Sequence, residues 1–170
     1  MACYDTDSLA ADMTGELSVN LKDGGGLSAS AGVFVDLSRC KVTLSSAQSI
    51  PDVTETVVNW TAESFDTDDY HDVSVNNSRL TVPATGVYLL NGYASFAATV
   101  TTSGIRLRKN GSGGQFFYVP GSVTTFGEVS ATLVTDLTIG DYVEMLVFQN
   151  GGASKNLSST NSFFSIVRLA

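Results

Sequence analysis

From residue 42 onward, apolar and polar positions alternate in short runs broken by Gly, Pro, Asn and Asp, as in strands joined by turns. The run around which the rest is organised follows Gly140-Asp141, a turn pair in which Gly accepts positive φ and Asp bonds its own backbone. In that strand Val143, Met145 and Val147 point one way while Tyr142, Leu146 and Phe148 point the other, and Glu144 is the only polar residue between the ends. A strand apolar on both sides needs two covers: a facing sheet, then a long loop or another subunit. Further strands are predicted over 42–47, 55–60, 79–83, 87–97, 104–109, 116–120, 125–134 and 163–169. An acidic turn region is expected at 65–70 and a hairpin tip at Asn110-Gly111. No helical period competes, so the chain is predicted to be all-β, with about eight to ten strands in two antiparallel sheets.

Residues 1–46 read differently. A short helical turn capped by Asp7 or Ser8 fits 5–13 but is too brief to stand alone. Leu17, Val19 and Leu21 alternate with polar neighbours, a Gly-rich break follows at 23–26, and Leu27, Val33 and Val35 resume the pattern. Hairpins with so few large side chains cannot bury a core in one copy and need a partner. The Gly26-Leu27 and Gly32-Val33-Phe34-Val35 pattern resembles short β-repeats of bacteriophage fibre and virion-attachment proteins. Residues 1–46 are therefore expected to be an attachment and oligomerisation arm, with Leu17, Val19, Leu21, Leu27, Val33 and Val35 as its contact residues, and 47–170 a separate jelly-roll domain. The alternative is a flexible leader with some β tendency.

Composition narrows the partners. A chain of 170 residues holds one core, burying roughly two-thirds of its unfolded surface. Its net charge of −8 and longest basic cluster, Arg106-Leu107-Arg108-Lys109, do not suit nucleic acid, whose backbone demands a concentrated positive surface. No apolar run approaches the roughly 20 residues of a membrane helix, and the N-terminus lacks a basic-then-apolar signal, so membrane insertion is not expected and export by cell lysis is. Cys3 and Cys40 form no metal motif; paired, they would stabilise the chain by on the order of 4 kcal/mol, and free thiols are the equal alternative.

One resemblance spans residues 47–170. Phe65-Asp66, then Asn77 through Pro83, Gly86-Val87-Tyr88, Leu107 through Gly111, Leu137 with Gly140-Asp141 and Val143, and the strand from Phe164 to Leu169 resemble, in order, the jelly roll of the tumour necrosis factor superfamily and the globular heads of the first complement component. The resemblance implies about ten strands assembled as a homotrimer around apolar and aromatic inner-sheet side chains, with loops facing outward. It points to Tyr88, Phe96, Phe116, Tyr118, Phe148 and Phe164 at the trimer interface. A collagen-like stalk and a membrane anchor are missing, which weakens any transfer of receptor signalling or complement roles. Jelly rolls of this type are also similar to knobs on phage head and tail fibres.

Catalytic chemistry finds little footing. His71 is the one histidine, and no nucleophile elbow or oxyanion loop accompanies it. Asp66, Asp68 and Asp72 offer oxygens for Ca²⁺ but lack an EF-hand's Gly turn and closing Glu. Gly111 through Gly114 lacks the Lys of a phosphate loop, and the sequons at Asn59, Asn110 and Asn156 matter only in a eukaryotic secretory route. No cofactor and no metal is expected. The reading is a non-enzymatic virion-surface protein of a phage: a trimeric head fibre or capsid decoration protein bound to a capsid or tail protein through its arm, with a host-surface glycan as a candidate loop ligand. The alternatives are a tail-associated receptor-binding fibre and a secreted cytokine-like or lectin-like module.

Overall fold

The computed structural model describes residues 37–114, the backbone of 115–119, and 127–170. The strands are β1 (Arg39–Thr43), β2 (Gln48–Ile50), β3 (Thr56–Val57), β4 (Ala62–Asp66), β5 (Arg79–Thr81), β6 (Gly86–Phe96), β7 (Thr102–Lys109), β8 (Ser112–Val119), β9 (Gly127–Leu137), β10 (Tyr142–Asn150), β11 (Lys155–Leu157) and β12 (Phe163–Arg168). Every pairing is antiparallel. In the seven-stranded sheet the order β4-β1-β12-β6 is closed by β9 along the length of β6, while β11, paired at Phe96, carries β2. In the five-stranded sheet β10 lies between β7 and the short strands β3 and β5, and β8 pairs the far side of β7.

Alternation decides what lies between the sheets. Tyr88, Leu90, Ala94 and Phe96 of β6, Phe164 and Ile166 of β12, and Cys40 and Val42 of β1 face Ile105, Leu107, Val143, Met145 and Val147 in one buried cluster. Gly92 keeps that spacing: a Cβ there would stand 2.7 Å from the Met145 Sδ. Trp60, wholly buried, stacks on Phe164 with centroids 6.3 Å apart.

Turn chemistry falls where expected. Lys109 pairs Ser112 across a two-residue tip, with φ of 50° at Asn110 and 73° at Gly111, the left-handed pair that suits the twist of a tight hairpin. Gly140 has φ 84°, and the Asp141 carboxylate accepts from the Thr138 amide at 2.7 Å.

Three expectations are corrected. The acidic region at 65–70 begins inside a strand, since Lys41 pairs Phe65 and Cys40 pairs Asp66. The strand expected over 55–60 shrinks to Thr56–Val57, because the Trp60 amide leaves β10 and donates to the Asn77 carbonyl. The division at 46/47 also moves: β1 is a central strand of the sandwich, and the compact unit runs from 36 to 170.

Candidate functional site

The second cover expected over β10 comes from within its own sheet. Glu144 and Leu146 are only 4% and 6% exposed. The Arg108 Nε donates to Glu144 Oε2 at 2.8 Å, the Ser78 hydroxyl donates to Oε1 at 3.0 Å, and the Arg79 Nε stands 3.7 Å from Oε1. Arg79 in turn lies over the Tyr142 ring, 4.1 Å from its centroid. A carboxylate that reads as an interruption in a greasy strand is therefore the anchor of a charged lid, with two guanidiniums offsetting its loss of water.

The predicted interface residues scatter. Tyr88, Phe96 and Phe164 are completely buried between the sheets of one chain, where no second copy can reach them. The Tyr88 hydroxyl donates to the Ala84 carbonyl at 2.6 Å, and its ring meets Tyr70 edge-on. Phe148 is half-buried in β10, in register with Gly104. Phe116 and Tyr118 lie on β8, in register with Arg106 and Gly104, and their side chains are outside the described residues. Leu17, Val19, Leu21, Leu27, Val33 and Val35 lie outside the described residues altogether.

Among the described residues, one apolar strip lies on the outer face of the other sheet. Because the even positions of β6 point inward, Val87, Leu89, Asn91 and Tyr93 point out of the seven-stranded sheet. Across the strands the register lines up Arg39, Val167, Leu89 and Val134 in one row, then Phe65, Lys41, Ser165, Asn91 and Thr132, then Thr43, Phe163, Tyr93 and Ser130. Val134 is 56% exposed, Leu89 and Val167 are half-buried, and Phe163 stacks on Tyr93 with centroids 5.9 Å apart. Cations frame one margin: the Lys41 Nζ is 4.5 Å from the Phe163 centroid and the Arg39 guanidinium 5.3 Å from that of Phe65. Glu128 and Asp136 stand exposed on β9 at the other. Burial and the nearby Glu128 carboxylate push the Tyr93 hydroxyl up.

An exposed apolar strip of this kind can adhere. The missed signal was parity: 87–97 is apolar at nearly every position, and only the short polar spacing of β9 marks which set faces out.

The His71 loop is a structural tie. The ring, its side chain fully buried, has Nδ1 2.8 Å from Glu63 Oε1 and Nε2 3.0 Å from the Asn77 carbonyl oxygen, which between them occupy both nitrogens. Asp66 accepts from the Tyr70 and His71 amides, and Asp72 from those of Ser74 and Val75. Those two amide bonds hold the Asp72 carboxyl below its usual range. Among the described residues no group of three or more metal-ligating side chains converges. Cys40 is a buried free thiol, pushed up by burial first and then by Asp66.

No family model and no curated protein matches the chain. Solved structures do. Murine APRIL at pH 5.0 superposes with a TM-score of 0.58 at 20% identity, covering 78% of this chain and 99% of that one. The globular domain of zebrafish complement 1qA gives 0.58 at 17%, covering 78% and 97%. Eiger TNF from S. frugiperda gives 0.56 at 14%, covering 79% and 93%. At these identities the likeness establishes the fold: an all-β jelly roll of the tumour necrosis factor and complement globular-head type.

Proposed function

We propose that the chain is a non-enzymatic structural protein of a bacteriophage virion: a homotrimeric jelly-roll head fibre or capsid decoration protein, displayed on the particle surface for stabilisation or host adhesion. The observation that carries the assembly is the apolar strip of Leu89, Val134 and Val167, which a single copy leaves partly in water. A neighbouring copy packed on each such face removes that strip from water, and a closed ring leaves none over. The virion setting is supported by the Gly32-Val33-Phe34-Val35 pattern, and the anchor is the segment before β1, which holds Leu17, Val19, Leu21, Leu27, Val33 and Val35. Three weak arms tethered to one head bind a capsid or tail protein far more firmly than one, because the second and third contacts are effectively intramolecular. Loops at the ends of the sandwich, among them the polar cleft of about 370 Å³ lined by Asp69, His71, Asp72, Asn76 and Arg79, are where a host glycan would be met.

Light scattering of the full chain tests the assembly, with three copies expected. Replacing Leu17, Val19, Leu21, Leu27, Val33 and Val35 by serine is expected to leave the trimer intact and abolish its capture by source virions. A monodisperse single chain overturns the trimer, and unimpaired capture overturns the role of the arm.

A further inference from the structure

Asparagine followed by glycine is the dipeptide most open to loss of its side-chain amide, because the glycine brings no side chain to hinder attack by its nitrogen on the neighbouring carboxamide. The chain holds three such pairs, Asn91-Gly92, Asn110-Gly111 and Asn150-Gly151, and the fold puts each in a different setting. Asn91-Gly92 lies within β6, paired to β12 on one side and to β9 on the other, so its backbone cannot turn without opening the centre of the sheet. At Asn150-Gly151 the attacking nitrogen is occupied: the Gly151 amide donates to Asp52 Oδ1 at 2.9 Å, and the Asn150 carbonyl accepts from the Thr101 amide at 2.8 Å. Asn110-Gly111 is the exposed tip of the β7–β8 hairpin, beyond the last ladder pair of Lys109 with Ser112, and the Gly111 amide meets no acceptor among the described residues.

What leaves the nitrogen open is offset at the carboxamide. The Asn110 Nδ2 donates to Asp141 Oδ1 at 2.7 Å, and Asn110 Oδ1 accepts from the Tyr142 amide at 2.9 Å. Asp141 is itself held through Oδ2, by the Thr138 amide at 2.7 Å and the Lys109 ammonium at 2.5 Å. Clamped at both ends, the carboxamide cannot swing over the Gly111 nitrogen until the clamp opens. We propose that Asn110 is a site of spontaneous deamidation, with the Asp141 carboxylate as the latch that sets its rate. The Gly111 nitrogen bonds to Asn110 Cγ and gives up its proton, the Cγ–Nδ2 bond breaks, and ammonia leaves a cyclic imide. Water then opens the ring to aspartate or, through the other carbonyl, to isoaspartate. Aspartate replaces the donor facing Asp141 by a second carboxylate, a like charge, and isoaspartate adds a backbone carbon to a tip whose strands meet across two residues.

Peptide mapping of the full chain held in mildly alkaline buffer tests this, with amide loss read by mass and isoaspartate by enzymatic methylation. In the folded protein Asn110 is expected to react before Asn91 and Asn150. In urea the three are expected to react within about threefold of one another, since each is followed by glycine and only the fold tells them apart. D141A removes a hydrogen bond to a charged acceptor, and deamidation at Asn110 is expected to quicken at least about tenfold while Asn91 and Asn150 keep their wild-type rates. Thermal melting checks that the variant folds. If it does not, D141N, which keeps an acceptor oxygen and loses the charge, is expected to quicken the reaction about threefold.

Reaction first at Asn91 or Asn150, or none at Asn110 in wild type and variant alike, overturns the choice of site. An Asn110 rate that the loss of the Asp141 carboxylate does not move overturns the latch. A ranking of the three that persists in urea would trace it to the flanking residues and overturn any role for the fold.

Discussion

The two sheets finish their outer faces in opposite ways. On the five-stranded sheet every charged side chain near the centre has a partner: Glu144 takes Arg108, Arg79 and Ser78, and Arg106 reaches Glu55 through two nitrogens at 2.8 and 2.7 Å. On the seven-stranded sheet one row across the strands is apolar, Val167, Leu89 and Val134, and among the described residues Arg39, Lys41, Glu128 and Asp136 enter no ion pair. A face that neutralises its own charges and leaves its leucine only 6% exposed has little to offer a second copy. A face that does neither has both adhesion and orientation to give. Being apolar thus separates the two faces less well than being left apolar after the chain's own side chains have closed over it.

The interior between the faces gives the largest expected effect and serves as the reference. Met145→Asp sets an unpaired carboxylate among Leu107, Gly92 and Phe164, costing several kcal/mol, and the variant is expected to be unfolded or far less stable by circular-dichroism melting. Unchanged melting would show that β10 is placed wrongly.

Glu144→Ala attacks the closed face. It strips the carboxylate from two guanidiniums at a nearly buried site, and about 3 kcal/mol of stability is expected to go in urea titration, with the oligomeric state of the folded fraction unaltered. Val134→Asp attacks the open face and inverts that result. Melting of the isolated chain is expected to shift by less than about 0.5 kcal/mol, because the site is already 56% exposed, while assembly is lost in light scattering. If Val134→Asp unfolded the chain and Glu144→Ala dispersed the trimer, the contrast between the faces would be reversed.

The smallest effect lies at the edge of the closed face and is read against pH. Hydrogen bonds from Lys109 and Asn110, and from the Thr138 amide, lower the Asp141 carboxyl from 3.8 to about 2. A depressed acid stabilises the folded chain above its unfolded value, and that contribution disappears as pH falls through the folded one. Wild type is therefore expected to lose a small increment of stability between about pH 4 and pH 2 that Asp141→Asn lacks throughout. Parallel acid profiles for the two would show that the carboxylate contributes nothing.

Much of the fold was legible because its signals are local. The Asn110-Gly111 tip and the Gly140-Asp141 turn need only the φ preferences of two residues, and both stand with positive φ where predicted. The alternation of Val143, Met145 and Val147 in β10 needs only the pleat. β11 passed unseen because Lys155-Asn156-Leu157 has one apolar residue and pairs solely through long-range bonds to β2 and to Phe96. Phe65 and Asp66 were read as a turn because acidic neighbours outweighed them, whereas their pairing with Lys41 and Cys40 is a contact across more than 20 residues. Three of the six aromatic residues expected at the interface, Tyr88, Phe96 and Phe164, lie inside the sandwich: Tyr88 and Tyr93 look alike in sequence, and five positions on one strand put one inside and the other out.

By itself the order of residues determined that this chain is all-β, where its sharpest turns fall and that β10 is apolar on both faces, since each follows from backbone preferences and the two-residue pleat. Only the tertiary structure decided which sheet face stays open. That depended on Glu144, Arg108 and the adjacent pair Ser78-Arg79 meeting from three separate segments to close one side, while Leu89, Val134 and Val167 met on the other in one row across the strands. Partnership across the sheet is a property of distance in space, and alternation along the chain carries no record of it.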